Sequence, residues 1–175
     1  MRVFIAAEFP EPVRDYLFRL QQEIRKISRS GNFTHRDNFH LTLRFIGETG
    51  GEERVKLQRA MDAAVRKGEP FSLMLGGLGH FPRGSRHILW VGLKSSGGLQ
   101  LLHDRLEEEL EACGVSKEGR EYAPHVTLGR EVWLDGDYSV LAGSVPTEDT
   151  VVPVEHISLM QSTRINGQLK YILLY

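Results

Sequence analysis

The sequence predicts an α+β fold. Three observations carry that expectation: short runs of apolar–polar alternation, amphipathic runs at helical spacing between them, and a closing strand pair joined by Asn-Gly. Val3, Ile5 and Ala7 alternate as a first strand. Pro10 and Pro12 sit where a missing N–H costs little, in the first turn of a helix. Val13, Tyr16, Leu17, Leu20, Ile24 and Ile27 then share one helical face to about Ser28. Gly31-Asn32 reads as a turn. Residues 40–46 read as a second strand that Gly47 ends, and residues 52–67 as a second helix offering Val55, Ala60, Met61, Ala64 and Val65 for burial. Phe71, Leu73 and Leu75 form a strand running into a glycine-rich turn, Gly76-Gly77-Leu78-Gly79. Residues 87–93 are another strand. Leu99, Leu102, Leu106 and Leu110 mark a third helix, with Gly114 placed as its C-cap. A strand over 125–130 and a polar stretch over 135–153 follow. Strands near 155–161 and 169–174 close the chain around Ile165-Asn166-Gly167.

Composition bounds the function. The 175 residues fit a single domain, 1–175, and suffice for a real core without disulfide or metal staples. Twenty-two basic against 23 acidic residues give a net charge of −1, so any nucleic-acid contact must be a local patch. The single cysteine, Cys113, excludes a disulfide framework and a multi-cysteine metal site. Glu8 and Pro10 break the opening apolar run, and no apolar stretch approaches the ~20 residues that span a bilayer. A cytoplasmic, monomeric protein with no membrane contact is the expectation.

One similarity lies within the chain. His40-Leu41-Thr42-Leu43 recurs 85 residues later as His125-Val126-Thr127-Leu128. Period two places His40 and Thr42 on one strand face, and His125 and Thr127 likewise, each pair about 7 Å apart along its strand. A lone His-x-Thr in a strand is ordinary packing; two copies with matching alternation point to chemistry. Displacement at phosphorus sets nucleophile and leaving group on opposite sides of the phosphate. One side wants a base and the other an acid, and imidazole serves either role near neutrality. The threonine hydroxyls can donate to non-bridging oxygens. No metal and no cofactor is demanded. A strained cyclic ribose phosphate fits such a bracket.

With Arg44-Phe45-Ile46-Gly47-Glu48 after the first copy, and Pro124 before and Gly129-Arg130 after the second, the motifs resemble the two signatures of the 2H phosphoesterase superfamily. More narrowly, the chain resembles the LigT-like RNA 2′,3′-cyclic phosphodiesterases, formerly the 2′-5′ RNA ligase family. The likeness extends to Arg2-Val3-Phe4-Ile5-Ala6, Gly79-His80-Phe81-Pro82, Leu89-Trp90-Val91-Gly92 and Ile157-Ser158-Leu159-Met160. It implies a bilobal fold of two related lobes with pseudo-two-fold symmetry, in which two antiparallel sheets face a central groove with helices outside. It implies hydrolysis of RNA ends bearing 2′,3′-cyclic phosphate, tRNA-derived ends being one candidate source, to 2′-phosphomonoesters. His40 would be the proton donor to the leaving 3′ oxygen and His125 the proton acceptor from water. Thr42, Thr127 and Arg130 would bind phosphate, and Phe45 would stack on the terminal base. Strict alternation sets Arg130 opposite His125, so its role requires a bulge or a strand end; on parity alone Phe45 fits a core position as well as a stacking one. Alternatives on the same scaffold are 2′-5′ linked oligonucleotides, small cyclic nucleotides, or a noncatalytic RNA-end-binding module.

The remaining candidates read as structural. His80 and His87 are surface residues flanking a turn, His103 is a solvated helix residue, and nothing supports a role for His35 or His156. Glu107-Glu108-Glu109 with Glu111 is a solvated helix face and Cys113 a buried small hydrophobe; Arg44, Arg83, Arg86, Arg120 and Arg164 could line an RNA path but read mostly as surface charge.

Overall fold

A computed structural model describes residues 1–94 and 97–175. The elements run β1 (Arg2–Glu8), α1 (Glu11–Lys26), β2 (Ser28–Phe33), a 3-10 turn (Arg36–Asn38), β3 (His40–Glu48), α2 (Gly51–Arg66), β4 (Phe71–Arg83), β5 (Arg86–Leu93), α3 (Gly97–Ala112), β6 (Val126–Leu134), α4 (Tyr138–Ser144), β7 (Thr150–Val154), β8 (Ser158–Ile165) and β9 (Gln168–Leu173). They form two antiparallel sheets, ordered β3-β1-β8-β9 and β2-β6-β5-β4-β7. The unit β1–α1–β3 recurs as β5–α3–β6: both strand pairs are antiparallel, and both helices have 16 residues.

The α+β expectation holds, with local corrections. Gly31-Asn32 is not a turn but part of β2, an edge strand paired with β6. Its polar sequence hides it, because an edge strand needs few apolar residues; Phe33 alone packs on the core. The glycines Gly76, Gly77 and Gly79 do not end a strand either. They lie inside the 13-residue β4, with a register shift between Leu75 and Leu78. Gly79 is required by its neighbour, since a Cβ there would sit 2.0 Å from the Trp90 ring. In α2, Val55 and Val65 are exposed, and Leu57 is buried beside Ala60, Met61 and Ala64. Asn166 and Gly167 turn the last hairpin with φ of 51° and 79°, the conformation that a two-residue turn favouring Asn-Gly demands.

β1 is central in its sheet and buried on both faces. Val3, Ile5 and Ala7 enter a large core with Leu17 and Ile24 of α1, Leu57 and Met61 of α2, and Leu106 and Leu110 of α3. Each such fully buried aliphatic side chain contributes about 1.5–3 kcal/mol. Phe4 and Ala6 point the other way, into a second cluster with Met160 and Tyr171. Helices and core thus occupy one side of each sheet, and the opposite faces carry the paired histidines.

Candidate active site

His40 opens β3 opposite Glu8 of β1. Its Nδ1 lies 2.7 Å from the carbonyl of Asn38, two residues back. A carbonyl only accepts, so Nδ1 holds the hydrogen and the lone pair of the neutral ring sits on Nε2. That Nε2 is 2.9 Å from Thr42 Oγ1, whose hydroxyl donates to it. The ring is walled by Phe4 at 4.9 Å and by Tyr171 edge-on at 5.0 Å. Asn38 is itself fixed, buried and donating from Nδ2 to the Leu169 carbonyl at 2.9 Å.

His125 immediately precedes β6 and repeats the arrangement. Its Nδ1 lies 2.7 Å from the carbonyl of Ala123, again two residues back. Phe81 stands edge-on to the ring at 5.2 Å, and Trp90 lies 6.0 Å away. Among the described residues, no side chain hydrogen-bonds its Nε2, which is left free for a ligand.

The same irregularity follows each histidine. In the β1–β3 pairing, Ile5 faces Arg44 and Ala6 faces Thr42, so Leu43 is an extra residue on β3. In the β5–β6 pairing, Leu89 faces Gly129 and Trp90 faces Thr127, so Leu128 is an extra residue on β6. A one-residue bulge reverses the parity of everything after it. It thereby returns Phe45 to the face of His40 and Arg130 to the face of His125, against strict alternation. Phe45 is exposed and 5.9 Å from Phe4. Arg130 is exposed, and its charge is felt by His40, His125 and Tyr171 alike. Thr42 and Phe45 therefore share the face of His40, and Thr127 and Arg130 the face of His125, and the charges of Arg130 and His125 reach His40 from the second sheet.

Burial chiefly pushes the His40 pKa below the ordinary imidazole value. The Asn38 carbonyl opposes this, the charges of Arg130 and His125 add to it, and Glu8 opposes it. His125 is lowered by burial first, against the Ala123 carbonyl and with the help of Arg130. In the free protein both environments favour the neutral ring.

Several contributors carry no assignment from the sequence. Tyr171, Phe4, Phe81 and Trp90 form the histidine walls. Gln21 is fully buried in α1, and its Nε2 donates to the carbonyls of Thr34 and of Leu128 at 2.8 Å each. The Thr34 hydroxyl donates to the Thr127 carbonyl at 2.9 Å, and the Thr34 N–H donates to the Leu128 carbonyl at 2.9 Å. This network holds the second bulge. A signal exists, because Gln21 interrupts the apolar face made by Leu17, Leu20 and Ile24.

Four other readings change. Arg44 is buried, 2.6 Å from Glu107 and 3.4 Å from Glu118, so neither Arg44 nor Glu107 is a solvated surface charge. The first bulge turns Arg44 inward against α3. His103 stacks on Tyr122 at 3.9 Å and is not simply solvated. His80 and His87 lie within strands rather than beside the turn, with their Nδ1 atoms 2.8 Å apart and His80 stacked on Tyr138. No group of three or more potential metal-ligating His, Cys, Asp or Glu residues occurs among the described residues. No helix among them is long and apolar enough to cross a membrane.

Comparison with known proteins gives a consistent set. The profile of the 2′-5′ RNA ligase superfamily matches residues 10–166. The RNA 2′,3′-cyclic phosphodiesterase of Methanothermobacter thermautotrophicus is 30% identical over 132 residues, 74% of this chain and 71% of that one. A protein of the same name from Thermotoga maritima is 27% identical over 164 residues, 93% and 87% of the two chains. Among solved structures, TT0787 of Thermus thermophilus matches with TM-score 0.81 at 27% identity, covering 100% of this chain and 96% of that one. E. coli LigT complexed with 3′-AMP matches with TM-score 0.77 at 25% identity, covering 99% and 95%.

Proposed function

The chain belongs to the 2′-5′ RNA ligase superfamily, and from that premise we propose that it hydrolyses RNA 2′,3′-cyclic phosphate ends to 2′-phosphomonoesters. The observation that carries this reading is the pair of identically anchored His-x-Thr units sharing one groove with Arg130. Two acid–base groups on opposed walls suit in-line displacement at a strained phosphodiester.

In this reading the cyclic phosphate lies between the histidines. The Thr42 and Thr127 hydroxyls and Arg130 bind its non-bridging oxygens, and Phe45 takes the terminal base on its exposed face. The free Nε2 of His125 removes a proton from water as the water oxygen bonds to phosphorus. The bond from phosphorus to the 3′ oxygen breaks, and His40 gives that oxygen its Nε2 proton. The products are a 2′-phosphate and a free 3′ hydroxyl; the two histidines then exchange the proton with solvent. His40 must enter protonated. The anionic substrate favours this, because a nearby negative charge raises the imidazole pKa that burial and Arg130 lower. The Asn38 and Ala123 carbonyls keep Nδ1 occupied throughout, so proton transfer runs through Nε2 on both sides.

The chemistry needs no metal and no cofactor, and the chain works as a cytoplasmic monomer. The test is turnover of a short RNA bearing a 2′,3′-cyclic phosphate in EDTA, with the product end mapped by mass and by phosphatase sensitivity. A 2′-phosphate supports the reading. A 3′-phosphate product, or activity lost with EDTA and restored by a divalent ion, overturns the regiochemistry or the metal independence respectively.

A further inference from the structure

The groove face of the first sheet continues past the residues used above. Along β1 the residues on that face are Glu8, Ala6, Phe4 and Arg2. Across β3 they meet His40, then Thr42, then Phe45, and finally Glu48 opposite Arg2. Arg2 is exposed and has no ion pair or side-chain hydrogen bond among the described residues. The carboxylate facing it across the strands, Glu48, is itself highly exposed and engages the Met1 amine at 3.1 Å. Tyr171, whose ring meets both His40 and Phe4, links the two ends of this face. Its phenol is raised in pKa by burial and lowered by the charges of Arg130 and Arg2. The charges of both guanidinium groups therefore reach this phenol.

We infer that Arg2, with Phe45 and Tyr171, forms a second subsite that holds the phosphodiester 5′ to the terminal nucleotide. The substrate class is then an oligoribonucleotide end rather than a mononucleoside cyclic phosphate. This deepens the reaction proposed above and rests on it. Arg2 lies four residues along β1 from Ala6, the residue opposite Thr42, or about 13 Å at the rise of an extended strand. A nucleotide and its 5′ phosphate can bridge that distance. The order along the groove matches the order along an RNA end. The cyclic phosphate meets Arg130 and the threonines, the terminal base meets Phe45, and the next phosphate meets Arg2. The net charge of −1 supplies no general attraction for polyanions, so one unpaired arginine at the right step suits recognition of a chain end.

The experiment compares kcat/KM for adenosine 2′,3′-cyclic monophosphate and for the dinucleotide ApA ending in 2′,3′-cyclic phosphate, using the intact protein and Arg2→Gln. One charge-assisted phosphate contact predicts a preference for the dinucleotide of about tenfold or more. Arg2→Gln should remove that preference and leave the mononucleotide rate unchanged. The slope of log(kcat/KM) against log salt for the dinucleotide should fall by about 0.7, as for one lost contact to a single strand. Equal rates on both substrates in the parent, or an equal fall on both in Arg2→Gln, would overturn the subsite while leaving the reaction standing. Turnover of neither substrate by the parent would overturn the reaction on which it rests.

Discussion

His40 and His125 are held by one backbone device and surrounded by different side chains. Each ring is tied at Nδ1 to the carbonyl two residues back, and each is followed by a bulge at the third residue on. Around them the two walls diverge. His40 sits under Phe4 and Tyr171 with Thr42 on its Nε2, whereas His125 stands beside Phe81 and Trp90 with Nε2 free. The first bulge delivers an aromatic ring, Phe45, and the second a cation, Arg130. The residue just inside each bulge also differs. Arg44 reaches back to Glu107, while Gly129 admits the Val132 and Phe33 side chains so closely that a Cβ would lie 2.9 Å from Val132. The backbone sets where proton-transfer groups stand; the side chains divide the work between them.

The largest effect expected is loss of either ring. His125→Ala and His40→Ala should each lower turnover by about 10²–10⁴, with the circular dichroism spectrum and Tm retained, because neither ring lies in the main core. Retained activity in either variant would remove the paired mechanism. Next come the two bulge products. Arg130→Gln should cost about 10- to 100-fold in kcat/KM on every substrate, since it removes a charged phosphate contact. Phe45→Ala should cost about 5- to 100-fold, expressed mainly in KM, as a stacking surface does. Equal and indistinguishable behaviour of the two variants would deny the division of labour.

The clamp on the second bulge gives a finer contrast. Gln21 Oε1 is buried without a hydrogen-bond partner, a cost of about 1–3 kcal/mol. Gln21→Met removes that orphan but also both Nε2 hydrogen bonds, so it should lower Tm modestly and lower kcat/KM several-fold at a temperature where the variant is fully folded, because Arg130 loses its fixed aim. Full activity of the folded variant would make Gln21 merely structural.

The smallest effect expected is on the pH profile. Both imidazoles have lowered pKa values in the free protein, so the bell of kcat/KM should lie on the acid side of the ordinary ~6.5. Arg130→Gln should move both limbs upward. Stability follows the same sign. A folded-state pKa below the unfolded value makes the unfolded chain bind more protons, so Tm should fall as pH drops below about 6.5. An unchanged Tm from pH 7.5 to 5 would contradict the burial of these rings.

Much of the fold and site is legible in the sequence because periodicity and the duplicated motif are local signals. His40, Thr42, His125 and Thr127 follow from alternation within four residues. The groove position of Arg130 and Phe45 does not, since each depends on an extra residue that only cross-strand register reveals. The walls are equally hidden: Tyr171 meets His40 from β9 at the far end of the chain, and Phe81 reaches His125 from β4 across β5. The β2 strand is hidden because its polar edge residues imitate a loop. Arg44 and Glu107 read as solvated because a buried ion pair looks like two surface charges until both partners are known.

In this scheme His40 is the acid and His125 the base, and a sulfur leaving group tests that most directly. An RNA end whose 2′,3′-cyclic phosphate carries sulfur at the bridging 3′ position expels a thiolate, which needs no proton from an acid. Single-turnover rates of the two alanine variants on this substrate and on the oxygen substrate would be compared. Recovery of His40→Ala to near the parent rate, with His125→Ala still slow by about 10² or more, is the predicted result. Recovery of His125→Ala instead, with His40→Ala still slow, would reverse the assignment and contradict the account.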